Sequence, residues 1–146
     1  MNFLKLLTIV SISIWLGSMA FFSGFVAPAA FSVLDRESAG RLVRTVFPRY
    51  YLFGIGLGTL GLVGVVGRLL SGRESPWSAL VLLLLMLGMS GFAMFVLLPQ
   101  LEALRQAPTG QPLAFARLHF FSVALNVTTM LAGLALVFVE GLRDRP

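Results

Sequence analysis

The chain contains no cysteine and only one histidine. Without cysteine it forms no disulfide, binds no metal through thiolates and carries out no thiol redox chemistry. Charged residues make up 12% of its 146 residues, against roughly 25% in typical soluble domains. These shortages leave the compartment open and point away from a soluble enzyme.

Charge is missing altogether from four long stretches, which cover residues 6–34, 50–67, 75–101 and 118–139. A helix needs about 20 apolar residues to cross the hydrocarbon of a bilayer, and in lipid a backbone must satisfy its own hydrogen bonds. The sequence therefore predicts an all-α integral membrane protein, an antiparallel four-transmembrane-helix bundle that forms a single domain, 1–146. The predicted spans are 6–27, 50–70, 77–98 and 117–139.

Prolines and one acidic residue mark the predicted helix ends. Pro28 is expected to kink or end the first span, and Asp35 to cap a new helix. Residues 39–47 place apolar side chains at helical spacing between arginines, which predicts an amphipathic interfacial helix between spans one and two. Pro48 is expected to break this helix and start the second span, and Pro99 to end the third.

The basic residues are spread over the helix ends, although the net charge is +5. Arginine side chains at such positions reach lipid headgroups, so the predicted partner is the lipid bilayer and no nucleic acid is expected. The predicted location is a cell membrane, crossed several times. Ten arginines against one lysine favour a GC-rich bacterial genome and hence a bacterial cytoplasmic membrane. Basic residues are nearly balanced between the two sides, so no orientation is predicted.

Glycines recur along the second span, with Gly54, Gly58 and Gly61 as the candidate helix-packing residues. In lipid, glycine lets helix backbones approach closely. This face either packs within the bundle or docks on a second copy or another membrane protein. No convincing internal repeat is found in the sequence.

Polar residues share one face of the fourth span, because His119, Ser122 and Asn126 sit at positions i, i+3 and i+7. Spans two and four begin on the same side of a four-span protein. The segment 49–51 (Arg-Tyr-Tyr) is therefore expected at a depth in the membrane similar to that of His119. Trp15, near the middle of span one, needs an acceptor for its indole N–H, for which Asn126 is one candidate.

Two interpretations of these residues remain open. In the first, Asn126 and the serines only connect helices through hydrogen bonds, and the other side chains anchor the interface. In the second, the residues line a small polar pocket that attracts an anion through Arg49 and uses His119 as a ligand or proton-exchange group. The candidate pocket residues are Arg49, Tyr50, Tyr51, His119, Ser122, Asn126 and Trp15. His119 is also the only metal-ligand candidate.

Several motifs resemble the transmembrane protein 205-like family. Trp15-Leu16-Gly17, then Phe21-Phe22 and Val26-Ala27-Pro28-Ala29-Ala30-Phe31, is similar to its first span. Phe47-Pro48-Arg49-Tyr50-Tyr51 and Leu118-His119 with Ser122 and Asn126 are similar to the start of its second and last spans. The resemblance implies a four-helix membrane protein and, in eukaryotic members, tolerance to platinum drugs. Platinum ligation by cysteine does not carry over, because this chain has none.

The Trp-Leu-Gly and Ala-Pro pattern is more distantly similar to the copper-resistance protein D group and to haem-dependent protoporphyrinogen oxidases. Those oxidases depend on a histidine in the first span, which is absent here. No cofactor is therefore expected, and an enzyme is not favoured. The first functional hypothesis is a membrane protein that binds or passes a small solute or ion, with metal or drug tolerance as a role. The alternatives are a haem-binding redox protein and a structural or assembly partner of another membrane protein.

Overall fold

Four long helices make up most of the protein in a computed structural model, which describes residues 3–72, 75–107 and 111–142. They are α1 (Phe3–Val33), α2 (Arg36–Leu70), α3 (Trp77–Gln106) and α4 (Pro112–Leu142), and each is long and apolar enough to cross a membrane. Within the described ranges there is no strand. The prediction of an all-α chain with four membrane-length helices is confirmed.

Pro28 and Pro99 lie inside α1 and α3, each just after a five-residue π-helical turn. The turns cover Phe22–Val26 in α1 and Ala93–Leu97 in α3. A proline in a regular α-helix presses its ring against the carbonyl four residues earlier. The wider π turn moves that carbonyl away. The prediction that Pro99 ends the third helix was therefore wrong, and α1 also continues past Pro28.

Asp35 caps the start of α2, as predicted. Its Oδ1 accepts hydrogen bonds from the backbone N–H groups of Glu37 at 3.0 Å and Ser38 at 2.9 Å. The bond from Ser38 is the main cause that lowers the pKa of the Asp35 carboxyl below its ordinary value. The cap thus uses the charged form of the side chain.

Pro48 does not divide α2, which continues through it over 35 residues. The prediction of a separate amphipathic helix before the second span was wrong, because residues 39–47 belong to this same helix. Pro48 cannot donate a backbone hydrogen bond. The carbonyl of Arg44, four residues earlier, therefore lacks its usual backbone donor. At the next residue, Thr45, the carbonyl accepts a hydrogen bond from the Arg49 guanidinium at 2.6 Å.

The glycine face of α2 lies directly against α1. Thr8 on α1 donates from its hydroxyl to the carbonyl of Gly61 at 3.2 Å. A Cβ added to Gly54 or Gly58 would contact Trp15, and one added to Gly61 would contact Ile12. A Cβ added to Gly64 would contact Thr8 and the backbone carbonyl of Leu4. The contacts therefore move towards the N-terminus of α1 as they move towards the C-terminus of α2.

The opposite face of α2 carries large apolar side chains that are exposed, namely Leu52, Phe53, Leu60 and Val63. Small residues thus face inward and large apolar residues face outward, whereas a soluble helix has its large apolar side chains inside. Soluble monomers rarely expose an apolar surface of this extent. The distribution suggests contact with lipid.

The two halves of the chain follow the same plan, although the sequence shows no convincing repeat. The two π turns begin at Phe22 and Ala93. The number of residues between these two positions equals the number between Pro28 and Pro99. It also separates Val65 from Leu136, which are both fully buried. The π turn, the following proline and one buried residue thus recur at the same spacing in the two halves.

We expect Gly64→Ala to destabilise the protein by about 1–3 kcal/mol, the usual cost of overpacking. The added methyl group would meet the Leu4 backbone carbonyl, which cannot rotate away as a side chain can. Thermal unfolding in a mild detergent measures the effect. Gly56→Ala is the matched control, because its Cβ would meet nothing within 4 Å. Equal melting temperatures for the two variants would contradict the close α1–α2 contact.

An ion pair joins α2 to α4 near the end of α2 that lies farthest from Pro48. Nη1 of Arg68 donates to Oε2 of Glu140 at 2.6 Å, and both side chains are 0% exposed. Lys5, at 2% exposure, is buried near the same end of α1. From the sequence, arginines at helix ends were expected to reach lipid headgroups, whereas the Arg68 side chain is buried between helices.

We expect Glu140→Gln to destabilise the protein by about 3–5 kcal/mol, because it removes the negative charge from an ion pair that is fully buried between helices. Glu37→Gln provides the comparison, since the Glu37–Arg41 pair is 79% and 61% exposed and such surface pairs contribute about 0–1 kcal/mol. Thermal or denaturant unfolding of both variants measures the difference. A Glu140→Gln variant as stable as Glu37→Gln would show that the buried pair is not needed for stability.

Candidate functional site

A cavity of about 550 Å³ lies between the four helices near the start of α2 and α4. Its walls come from residues 22–31 of α1, 43–51 of α2, 93–105 of α3 and 115–130 of α4. The volume falls in the range of about 300–1,000 Å³ that is typical of small-molecule sites. The two π turns border it, since Phe22 and Ala93 both line the cavity.

A chain of hydrogen bonds crosses the inner end of the cavity. The Tyr50 hydroxyl donates to Oδ1 of Asn126 at 3.0 Å, and Nδ2 of Asn126 donates to Oγ of Ser23 at 3.3 Å. This chain connects α2, α4 and α1. Within the described residues Ser23 accepts this bond and donates none, so its O–H group is available to a ligand.

Aromatic rings form one side of the cavity. Tyr50 packs on Phe22 with ring centroids 5.2 Å apart and meets Tyr51 edge-on at 5.3 Å. Phe47 stacks on Tyr51 at 6.0 Å. Such pairs add about 0.5–1.5 kcal/mol each beyond the burial of their area. The packing fixes the direction of the Tyr50 side chain and therefore of its bond to Asn126.

Charged side chains surround the mouth of the cavity. Nη1 of Arg44 donates to Oε1 of Glu102 at 3.0 Å, and Nε2 of Gln106 donates to the same oxygen at 2.6 Å. The Arg105 guanidinium lies over the Phe115 ring, 5.2 Å from its centroid. Both arginines also line an outer hollow of about 850 Å³, so the cavity opens into a wider basic vestibule.

His119 lies on the α4 wall of the cavity. Its ring is nearly parallel to that of Phe115, with an interplanar angle of 4° and centroids 5.9 Å apart. In the described ranges no group of three or more His, Cys, Asp or Glu residues could hold a metal ion. A metal or haem iron bound here would therefore have His119 as its single histidine ligand from this chain.

The structure places five of the seven predicted pocket residues around this cavity, namely Tyr50, Tyr51, His119, Ser122 and Asn126. Arg49 does not line it, and its side chain is exposed and bonded to the Thr45 carbonyl. Trp15 does not line it either. It is 2% exposed, and its indole lies against the glycine face of α2 rather than bonding to Asn126.

Four polar or charged lining residues were not predicted from the sequence, namely Ser23, Arg44, Glu102 and Arg105. Arg44 was assigned to an interfacial helix, and Glu102 and Arg105 were left outside the third span because Pro99 was expected to end it. Ser23 gave no separate signal within an apolar run. The one available signal was the charge pattern beyond Pro99, where Glu102, Arg105 and Gln106 fit a continued helix.

Together these features define an all-helical protein with four membrane-length helices and a cavity that combines aromatic, hydrogen-bonding and charged groups. The chain belongs to the family described as Domain of unknown function (DUF4149), whose model matches residues 10–109. An uncharacterized protein of Aquifex aeolicus (strain VF5) is 36% identical over 133 residues, which cover 91% of this chain and 93% of the relative. No solved structure matches the chain.

We expect the Tyr50–Asn126 bond to give a coupling energy of about 0.6 kcal/mol, the average for hydrogen bonds between membrane helices. A double-mutant cycle with Tyr50→Phe, Asn126→Leu and the double variant measures it through unfolding in detergent. Thr59→Val is a control, because the Thr59 hydroxyl bonds only within its own helix, to Ile55. If the changes in unfolding free energy caused by Tyr50→Phe and Asn126→Leu simply add up in the double variant, the bond does not link α2 and α4 energetically.

Proposed function

We propose that this protein is a multi-pass protein of a bacterial cell membrane that binds or passes a small solute in the cavity between its four helices. The helices form an antiparallel bundle in the bilayer. The observation that carries the proposal is the cavity of about 550 Å³, with a hydrogen-bonding inner end and a charged mouth. The candidate pocket of Tyr50, Tyr51, His119, Ser122 and Asn126 is part of it, and α3 supplies a fourth wall.

Insertion in a membrane is supported by the positions of the charges and the large apolar side chains. Charged residues are absent from 118–139 and from the other three long stretches, and large apolar side chains cover the outer face of α2. The relative from Aquifex aeolicus supports a bacterial setting. The lipid bilayer is thus the proposed main partner of the outer surface.

Solute binding is favoured over simple interhelical bonding because the polar residues surround open volume. Helix–helix packing alone would bring Asn126 and its partners together without leaving space beside them. Here Tyr50, Asn126 and Ser23 bond to one another at the edge of a cavity. Polar groups that face such space are typical of binding sites.

The resemblance of the sequence motifs to the transmembrane protein 205-like family supports metal or drug tolerance as the proposed role of this binding. No enzymatic step is proposed. The assembly alternative is less favoured, because the Gly54 and Gly58 face of α2 already contacts Trp15 and Leu87 of the same chain. The haem alternative would rest on His119 alone.

Native mass spectrometry of protein extracted in a mild detergent tests whether the cavity holds a solute. We expect small-molecule adducts on the wild type and their loss in Val127→Trp, because Val127 lines the cavity and a larger ring there fills it. Leu131→Trp is the matched control one turn further along α4. Leu131 is 60% exposed and lies outside the cavity lining.

Both variants are checked for an unchanged helical circular dichroism spectrum before the comparison. Adducts that persist on Val127→Trp at the wild-type level would show that the bound molecules lie elsewhere. Adducts that are absent from the wild type after extraction into several mild detergents and into lipid nanodiscs would remove the solute-binding proposal.

A further inference from the structure

We infer that the solute is a small amphipathic anion, an apolar body with one carboxylate, and that this carboxylate binds between Arg44 and Arg105 in place of Glu102. The inference rests on the proposed function, since it names the chemical class of solute for the same cavity. It follows from the charges at the mouth, the contacts of Glu102 and the lining of the inner walls.

Positive charge exceeds negative charge around the mouth. Among the described residues, the outer hollow and the cavity together are lined by three arginines, Arg36, Arg44 and Arg105, and by two acidic residues, Glu37 and Glu102. Arg44 and Glu102 are 37% and 32% exposed, so water screens them only partly and charge strongly affects what enters. An anionic group is therefore favoured over a cationic one.

Glu102 occupies the position in which a ligand carboxylate would be held. Its Oε1 accepts from Nη1 of Arg44 and from Nε2 of Gln106. Arginine binds carboxylates through paired N–H donors, and a carboxylate on a solute offers the same chemistry as the one on Glu102. The glutamate thus acts as an internal counter-ion that an incoming anion displaces.

Arg105 is held beside this pair without an acidic partner of its own. Its guanidinium lies over the Phe115 ring, and it makes no ion pair within the described residues. A Cβ on Gly40 would lie 3.7 Å from Nη1 of Arg105, so the guanidinium is close to the backbone of α2, the helix that carries Arg44. Two arginines therefore share one carboxylate.

The inner walls suit an apolar body. Below the charged mouth the lining includes Phe22, Phe31, Phe47, Leu101 and Val127. Burial of apolar surface contributes about 25 cal/mol per Å², whereas a fully polar anion would gain nothing from these walls.

Equilibrium binding of radiolabelled decanoate to the protein in phosphatidylcholine nanodiscs tests this inference, with empty nanodiscs as background. We expect saturable binding that decanol, decyltrimethylammonium and acetate displace poorly at equal concentration. Arg44→Gln and Arg105→Gln should each weaken binding about tenfold, because each removes a hydrogen bond to a charged group. Glu102→Gln should strengthen it severalfold, because the internal competitor loses its charge.

Arg41→Gln is the matched control. Arg41 is on α2 like Arg44, but it is exposed, pairs with Glu37 and does not line the cavity. Binding by Arg41→Gln should equal that of the wild type. Thermal unfolding of every variant shows that it is folded, and the predicted gain in Glu102→Gln cannot arise from misfolding.

The outcomes separate this inference from the proposed function. If decanol or decyltrimethylammonium binds as tightly as decanoate and Val127→Trp blocks all of them, the cavity binds solutes but the anion inference is overturned. If acetate competes as well as decanoate, the amphipathic part is overturned. If Val127→Trp leaves decanoate binding unchanged, the anion binds outside the cavity and the inference is overturned as well.

Discussion

The close contact between α1 and the glycine face of α2 determines where the other parts of the structure lie. The backbone of α1 comes so near to Gly64 that a methyl group there would meet a carbonyl, and the Trp15 indole fills the space over Gly54 and Gly58. Helices in lipid gain little from burying apolar surface against one another, so close packing of this kind contributes much of their stability. Because it fixes α1 against α2 along their length, it also brings Phe22 and Ser23 to the level of Tyr50.

Two π turns lie at the end of the helices beyond this contact. Each precedes a proline that would otherwise clash within its helix. The segments that follow the turns, from Ala27 in α1 and Leu98 in α3, line the cavity together with α2 and α4. An irregularity next to a proline therefore coincides with the space available to a solute, and π turns are frequent at functional sites.

The ion pairs at the two ends of the helices differ in their exposure to water. At one end Arg68 and Glu140 are fully buried and join α2 to α4. At the other, Arg44 and Glu102 remain about one-third exposed at the mouth of a cavity. A buried pair resists exchange because separating it leaves a charge in a region without water, whereas a partly hydrated pair exchanges partners readily. An incoming anion can therefore bind to arginine only at the end with the cavity.

The sequence by itself determined the four membrane-length helices, because a charge inside hydrocarbon is costly and uncharged runs are visible directly. It also determined the Asp35 cap, and helical spacing with chain parity grouped Tyr50, His119 and Asn126. The tertiary structure alone decided that the helices continue through their prolines, since local adjustments and neighbouring helices can compensate for the hydrogen bond that a proline removes. Because contacts between distant segments depend on packing between helices, only the structure brought Arg44 to Glu102 from two segments that the sequence analysis had left outside the helical spans.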